Sequence, residues 1–243
     1  MGSLFTLRSY YRSCVSPPAL AADFDSSNSE RLSVTASALD FSSHTDMTIE
    51  VWFNKNALGA HGNLIGKTAT VQAFFLQSRT DNVIRFNLGT SDGAKVANSA
   101  ANTADAWHQA ICYHDSSGEL VGVIVDDGTP VTAATSGGTP LDGTAHPFNF
   151  SHDANAGGQP FDGRMQVGRV WSRLLTSGEI TALYNSGSPV AYCALTSGQK
   201  VGLVSNWDMG EYSDGTGAVT RNDSHGTNHL TDTNTVASIA RDA

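Results

Sequence analysis

The sequence predicts an all-β protein, an antiparallel sandwich or barrel, on three observations. Short apolar runs rich in aromatic and β-branched residues recur from Asp23 onward. Clusters of Gly, Asn, Asp and Ser separate them, and helical spacing is confined to one segment. The clearest runs are Leu32–Val34, Met47–Phe53, Asn63–Gly66, Ala73–Ser78, Val83–Leu88, His108–Tyr113, Leu120–Val125, Phe148–Phe150 and Met165–Trp171. Hairpin signals at Ser117-Gly118 and Asp127-Gly128 lie between them. Nothing repeats at a fixed period of 20–50 residues, which sets aside solenoids and propellers.

The helical segment begins at Thr176-Ser177-Gly178-Glu179. There the Thr hydroxyl can accept from a backbone N–H and the Glu can return the bond, the spacing of a capping box. Ile180, Leu183 and Tyr184 follow at helical spacing and Gly187 stops the run, so one short helix is expected near 177–185. Gly202–Trp207 reads as a further strand. The tail beyond it is rich in Asn, Asp, Thr and Gly, with apolar points only at Leu230, Val236 and Ile239. Three parts are therefore expected: an N-terminal arm at 1–20, a sandwich at 21–199 and a C-terminal segment at 200–243.

Composition narrows the function. The 243 residues are 40% hydrophobic, which is enough for a core, and only 15% charged. With 14 basic and 23 acidic residues the formal charge is −9, and no Lys/Arg block occurs, so nucleic acid is not an expected partner. No apolar stretch approaches the roughly 20 residues that span a bilayer. The N-terminus lacks the apolar run of roughly 7–15 residues that a secretory signal needs. Cys14, Cys112 and Cys193 are odd in number and form no CxxC, so three unpaired thiols in a reducing cytoplasm are expected.

Six segments in family order resemble the concanavalin A-like (laminin G-like) jelly-roll superfamily, in particular its phage and bacterial modules. They are Ala22–Leu32, Met47–Phe53, Trp107–Ala110, Val125–Gly128, Phe161–Trp171 and Leu175–Tyr184. The resemblance implies a concanavalin A-like antiparallel jelly-roll sandwich with one short helix. The tail segments Leu203–Glu211 and Asn222–Thr231 resemble the family's opening strand and loop, displaced to the end of the chain. Such a segment can complete its own sandwich or pair with a neighbouring copy.

Candidate sites follow from both readings. Glycosidases of the superfamily set alternating carboxylates on one strand. Here Glu50 stands alone and Asp126-Asp127 are adjacent, so no catalytic residue is expected and the protein is not read as an enzyme. Calcium is a candidate cofactor, with Asp23, Asp25, Asp223 and Asn228 as ligands, because the resemblance brings their loops together and hard oxygen donors suit the ion. Trp52, Trp107, Trp171 and Trp207 all fall in strand motifs where the family packs an aromatic, and are expected in the core. That leaves Phe74, Phe75, Tyr10 and Tyr11 as candidate binding residues; alternation sends one of Phe74 and Phe75 outward.

Three functions were weighed on these residues. The first is a non-catalytic structural protein on a phage particle, as head decoration, cement, or a tail or fibre component. It would be made in the host cytoplasm without a signal peptide and displayed on the virion surface. Its partners would be copies of itself and other virion proteins, contacted through the arm and tail. The second is a carbohydrate-binding adhesion module, calcium-supported or not, with surface glycans as partner. The third, an endoglycosidase, is disfavoured by the missing carboxylates.

Overall fold

A computed structural model describes residues 20–43, 46–68, 72–151, 159–210 and 220–241. The strands in chain order are β1 (Leu20–Phe24), β2 (Arg31–Val34), β3 (Met47–Lys55), β4 (Gly62–Thr68), β5 (Gln72–Ser78), β6 (Val83–Thr90), β7 (Gly93–Ala101) and β8 (Trp107–Asp115). They continue with β9 (Leu120–Val125), β10 (Val131–Ala134), β11 (Phe148–Phe150), β12 (Gly163–Trp171), β13 (Leu203–Asp208), β14 (Thr220–Arg221), β15 (Leu230–Thr233) and β16 (Ala237–Ala240). Two helices, α1 (Ser177–Tyr184) and α2 (Ser197–Lys200), lie between β12 and β13.

The strands form two antiparallel sheets. The first runs β10-β9-β8-β3-β12-β1-β16, with β13 also pairing β12; the second runs β14-β15-β2-β11-β4-β5-β6-β7. Alternation fills the space between them. Ile49, Val51 and Phe53 of β3 meet Phe74, Leu76, Phe86 and Phe148 of the second sheet in one apolar cluster. Met47–Phe53 is buried throughout, because its other face is covered as well.

That cover is α1 and the segment following it. Thr176 caps α1 and Glu179 closes the capping box as the sequence predicts; Asn185, in the left-handed region at φ 46°, ends the helix. Tyr184 stacks on Trp52 with ring centroids 6.0 Å apart, and Leu183 packs with Trp171, Leu195 and Leu203. The outer face of the first sheet is thus closed by protein.

The C-terminal segment returns to both sheets of its own chain. β13 pairs β12, β15 pairs β2 and β16 pairs β1, with Ala240 opposite Leu20. Arg221, buried, fastens the three together: it donates to the Met209 and Val236 carbonyls, to Ser238 Oγ and to both carboxylate oxygens of Asp232.

One expectation is corrected here. Cys193 is disulfide-bonded, whereas Cys112 is free and buried in the core, its thiol pKa pushed up by that burial. Cys14 lies outside the described residues. A bridge between remote parts of a chain leaves no local spacing to read, so counting cysteines could not find it. Among the described residues no helix is long and apolar enough to cross a membrane.

Candidate functional site

The outer faces of the two sheets differ in kind. Beneath the helical cover of the first sheet lies a closed network. Arg169 donates to Glu50 Oε2 at 2.9 Å, to Asn206 Oδ1 at 2.6 Å and to the Val190 carbonyl. Glu50 Oε1 accepts from Gln109 Nε2 at 2.7 Å and Trp52 Nε1 at 3.0 Å. Glu50 and Arg169 are both 0% exposed, so Glu50 meets no substrate and serves as a structural counter-ion.

The second sheet carries no described helix on its outer face. Phe74 points inward and meets Phe41 edge-on, with centroids 4.6 Å apart, which removes it from the candidate binding residues. Phe75 therefore points outward and is half-buried. Pairing places it in a cross-strand row, Asn149–Gly66–Phe75–Asn87–Val96, that runs over β11, β4, β5, β6 and β7. Gly66 lies beside the ring, and a Cβ at that position would come within 3.3 Å of the Phe75 Cβ and crowd it. Adjacent to the row on the same face, Gln77 donates to Asn63 Oδ1 at 3.0 Å and to Gln159 Oε1. A cavity of about 340 Å³ is lined by Asn87 of the row together with Gln72, Gly89, Thr90 and Leu141.

Three amide atoms of this face, Asn63 Nδ2, Asn87 Oδ1 and Asn149 Oδ1, are buried without a hydrogen-bond partner among the described residues. Their residues are 2%, 8% and 1% exposed. A buried amide atom left unpaired costs about 1–3 kcal/mol, and three on one face form an unmet demand for hydrogen bonds. The row carries no carboxylate. An apolar ring among donors and acceptors of uncharged amides can hold a polyhydroxylated ligand by stacking and hydrogen bonding.

The expected calcium ligands fall into two separate networks. Asp25 caps a short helical turn, accepting from the Ser27 N–H, Ser27 Oγ and Asn28 Nδ2; Asp23 lies on β1, 3.9 Å from the Arg164 guanidinium. Asp223 sits beside β13 and accepts from the backbone N–H groups of Asn206, His225, Gly226 and Asn228. Burial pushes its pKa up, but the bonds from Gly226, Asn206 and His225 outweigh this and hold it below the usual carboxylate value. Asn228 uses its amide on Ser205 and its carbonyl on the Trp207 indole. Asp23 pairs with Arg164 through β1–β12, whereas Trp207, the bridge partner of Asp223, pairs with Gly168 further along β12, so the two networks meet β12 at different places. Among the described residues no group of three or more His, Cys, Asp or Glu side chains could hold a metal ion.

Trp52, Trp171 and Trp207 are fully buried, and Trp207 packs against Phe148 and Phe150. Trp107 is corrected: it is only half-buried at the start of β8, under the Arg241 guanidinium at 5.2 Å, where the core no longer reaches it. Tyr10 and Tyr11 lie outside the described residues. The amides at 63, 77, 87 and 149 escaped the sequence reading. Only strand register makes them neighbours of Phe75, and the one local signal was that Gln77 shares its parity.

Two antiparallel sheets packed face to face, one of them covered by a helix, define a lectin-like jelly-roll fold. The chain belongs to the concanavalin A-like lectin/glucanases superfamily, whose laminin G-like family matches residues 27–181, more than half of its length. No curated protein sequence matches it. Among solved structures it is similar to a candidate carbohydrate binding protein from Bacteroides ovatus, with a TM-score of 0.66 and 17% identity over 93% of this chain. The chain spans 61% of the length of that protein. It is also similar to a heptameric SAP-like pentraxin from Limulus polyphemus, with a TM-score of 0.54 and 11% identity over 72% of this chain and 85% of the other. A third is the carbohydrate-binding module (CBM40) of a Ruminococcus gnavus sialidase bound to α2,6 sialyllactose. Its TM-score is 0.50, with 12% identity over 67% of this chain and 96% of the other. At these identities the likeness is one of fold.

Proposed function

We propose that the chain is a non-catalytic carbohydrate-binding module that holds a glycan across the outer face of its second sheet. The observation that carries this reading is Phe75 flanked by buried amide atoms that have no hydrogen-bond partner among the described residues. The row from β11 to β7 crosses four strand spacings, roughly 19 Å, which suits an extended oligosaccharide better than a single sugar. The carbohydrate-binding descriptions of the Bacteroides and Ruminococcus proteins are consistent with it. The absence of a carboxylate from the row and the enclosure of Glu50 argue for binding without hydrolysis.

The structural role on a phage particle has its supports in the lack of an export signal, unpaired cysteines, an arm at 1–20 and a tail that can contact neighbours, and a low-charge surface. The disulfide at Cys193 and the pairing of β13, β15 and β16 within the chain weaken two of these supports. The face is therefore the feature to test. On a glycan array the wild-type protein is expected to bind selectively. Phe75→Ala should weaken the best ligand by at least about tenfold, equivalent to ~1.4 kcal/mol, with an unchanged melting temperature. A blank array, or a Phe75→Ala protein that binds as wild type does, overturns the proposal.

A further inference from the structure

A second cavity, of about 450 Å³, opens at the side of the sandwich, away from the Phe75 row. It lies where β7, at the margin of the second sheet, packs on β9 and β10 at the margin of the first. Val123, Val125 and Val131 form an apolar wall, and Asn102, Thr103, His108 and Asp126 supply polar groups.

These polar groups are ordered by the fold. Val125–Gly128 is a tight turn with φ of 53° at Asp126 and 56° at Asp127, closed by the Gly128 N–H to the Val125 carbonyl. Two consecutive left-handed residues without glycine cost conformational energy, of order 1 kcal/mol each. The turn sets the Asp126 carboxylate on the cavity, where Oδ1 accepts from the Gln109 N–H at 2.9 Å and Oδ2 meets His108 Nδ1 at 2.6 Å. His108 Nε2 lies 3.0 Å from Thr103 Oγ1. His108 thus bridges the Asp126 carboxylate and the Thr103 hydroxyl, joining the three side chains into one hydrogen-bonded chain.

Asn102 is the residue that points to a ligand. It is 8% exposed and its Oδ1 is buried with no partner among the described residues, while its Nδ2 makes a 3.5 Å contact to the Thr103 carbonyl. An acceptor kept in this state lowers stability, and a ligand hydroxyl repairs it. The groups available are mainly acceptors: Asn102 Oδ1 and the remaining lone pairs of Asp126 and Thr103. The carboxylate charge is already met by two N–H donors, so a second cation is not required. A compact ring that offers several O–H donors on one edge and C–H groups on a face matches both the acceptors and the valine wall.

The geometry points to a small-ligand site at this sheet margin for a single sugar ring, separate from the glycan face and independent of it. The test is a nitrogen-15 NMR titration of the whole chain with methyl glycosides of glucose, galactose and mannose and with N-acetylglucosamine, and with ethylammonium as a cationic probe. At least one sugar should give saturable shifts at residues 99–103 and 123–131. Asn102→Leu should weaken it by about tenfold or more while leaving thermal stability equal or higher, since the unpaired acceptor is gone. Ala101→Trp, at an exposed cavity-lining position, should block it, and Phe75→Ala should leave it unchanged. The site is overturned by any of four outcomes: no saturable shifts with any sugar, saturation only by ethylammonium, shifts confined to the Phe75 row, or a wild-type affinity in Asn102→Leu.

Discussion

Arg169 shows how a single charge can hold a face shut. Its guanidinium is fully buried and joins β3 through Glu50, β13 through Asn206 and the post-helical segment through the Val190 carbonyl. Burial of the pair is tolerable because Glu50 has two further donors and Arg169 two further acceptors. Removing one partner leaves the other charged and dry, which costs about 3–5 kcal/mol. Arg169→Met is accordingly expected to lower the urea midpoint by that amount of stability, and Glu50→Gln added to it should recover part of the loss. A single variant as stable as wild type would mean that water replaces the guanidinium. The sequence offered Glu50 as an isolated carboxylate, so no catalytic residue was expected, but its partner lies 119 positions away and only register brings the two together. Trp107 carries the converse lesson. Its motif matched the family pattern, yet its place at a strand end left it beneath Arg241 rather than in the core.

At the scale of elements, what could be read locally was read well. The cap of α1 depends on residues three apart, and the structure realises it: Thr176 and Glu179 exchange both bonds. Glu179 also receives both guanidinium nitrogens of Arg173, at 2.9 and 2.6 Å, and chiefly through them its pKa falls to about 2 from an ordinary 4.5. A depressed carboxylate adds stability above its unfolded value, and that stability is lost as pH falls toward the folded value. The N-terminal turn of α1 should therefore be intact at pH 5 and loosen between about 4.5 and 2, seen as faster amide exchange there than in the strands. Unchanged protection of the turn at pH 2.5 would contradict this. Strands such as β7, rich in Ala, Asn and Ser, gave no alternation because they lie at a margin where neither face is fully buried. The Phe75 row was illegible for a related reason. Each of its side chains sits on a different strand, and a period of two states only which face a residue takes, not which residue it faces.

For the whole molecule, closure is the common theme, and it is achieved by segments remote in sequence. The disulfide at Cys193 belongs to the segment that covers the first sheet, and bridges of this kind persist in oxidising surroundings. Its reduction should cost about 2–4 kcal/mol, read as a fall of roughly 5–15 °C in melting temperature for a domain of this size. An unshifted transition in reductant would show that Arg221 and the strand ladders suffice alone. Compactness and two-layered form were legible from composition and periodicity. The allocation of duties was not: one outer face is covered by a helix and the segment after it, while the other sets buried amides around the half-buried Phe75 ring.

The pairing of Leu20 with Ala240 also has a mechanical meaning. β1 and β16 run antiparallel with these two residues at the same end of the ladder. A force drawing Leu20 and Ala240 apart therefore loads the hydrogen bonds one pair at a time, from that end inward, in the manner of a zip. A sandwich gripped at opposite ends of a strand pair would share the load across the whole ladder. Pulled at these two points, this one is expected to yield at the β1–β16 ladder first, before the other sheet, which carries Phe75.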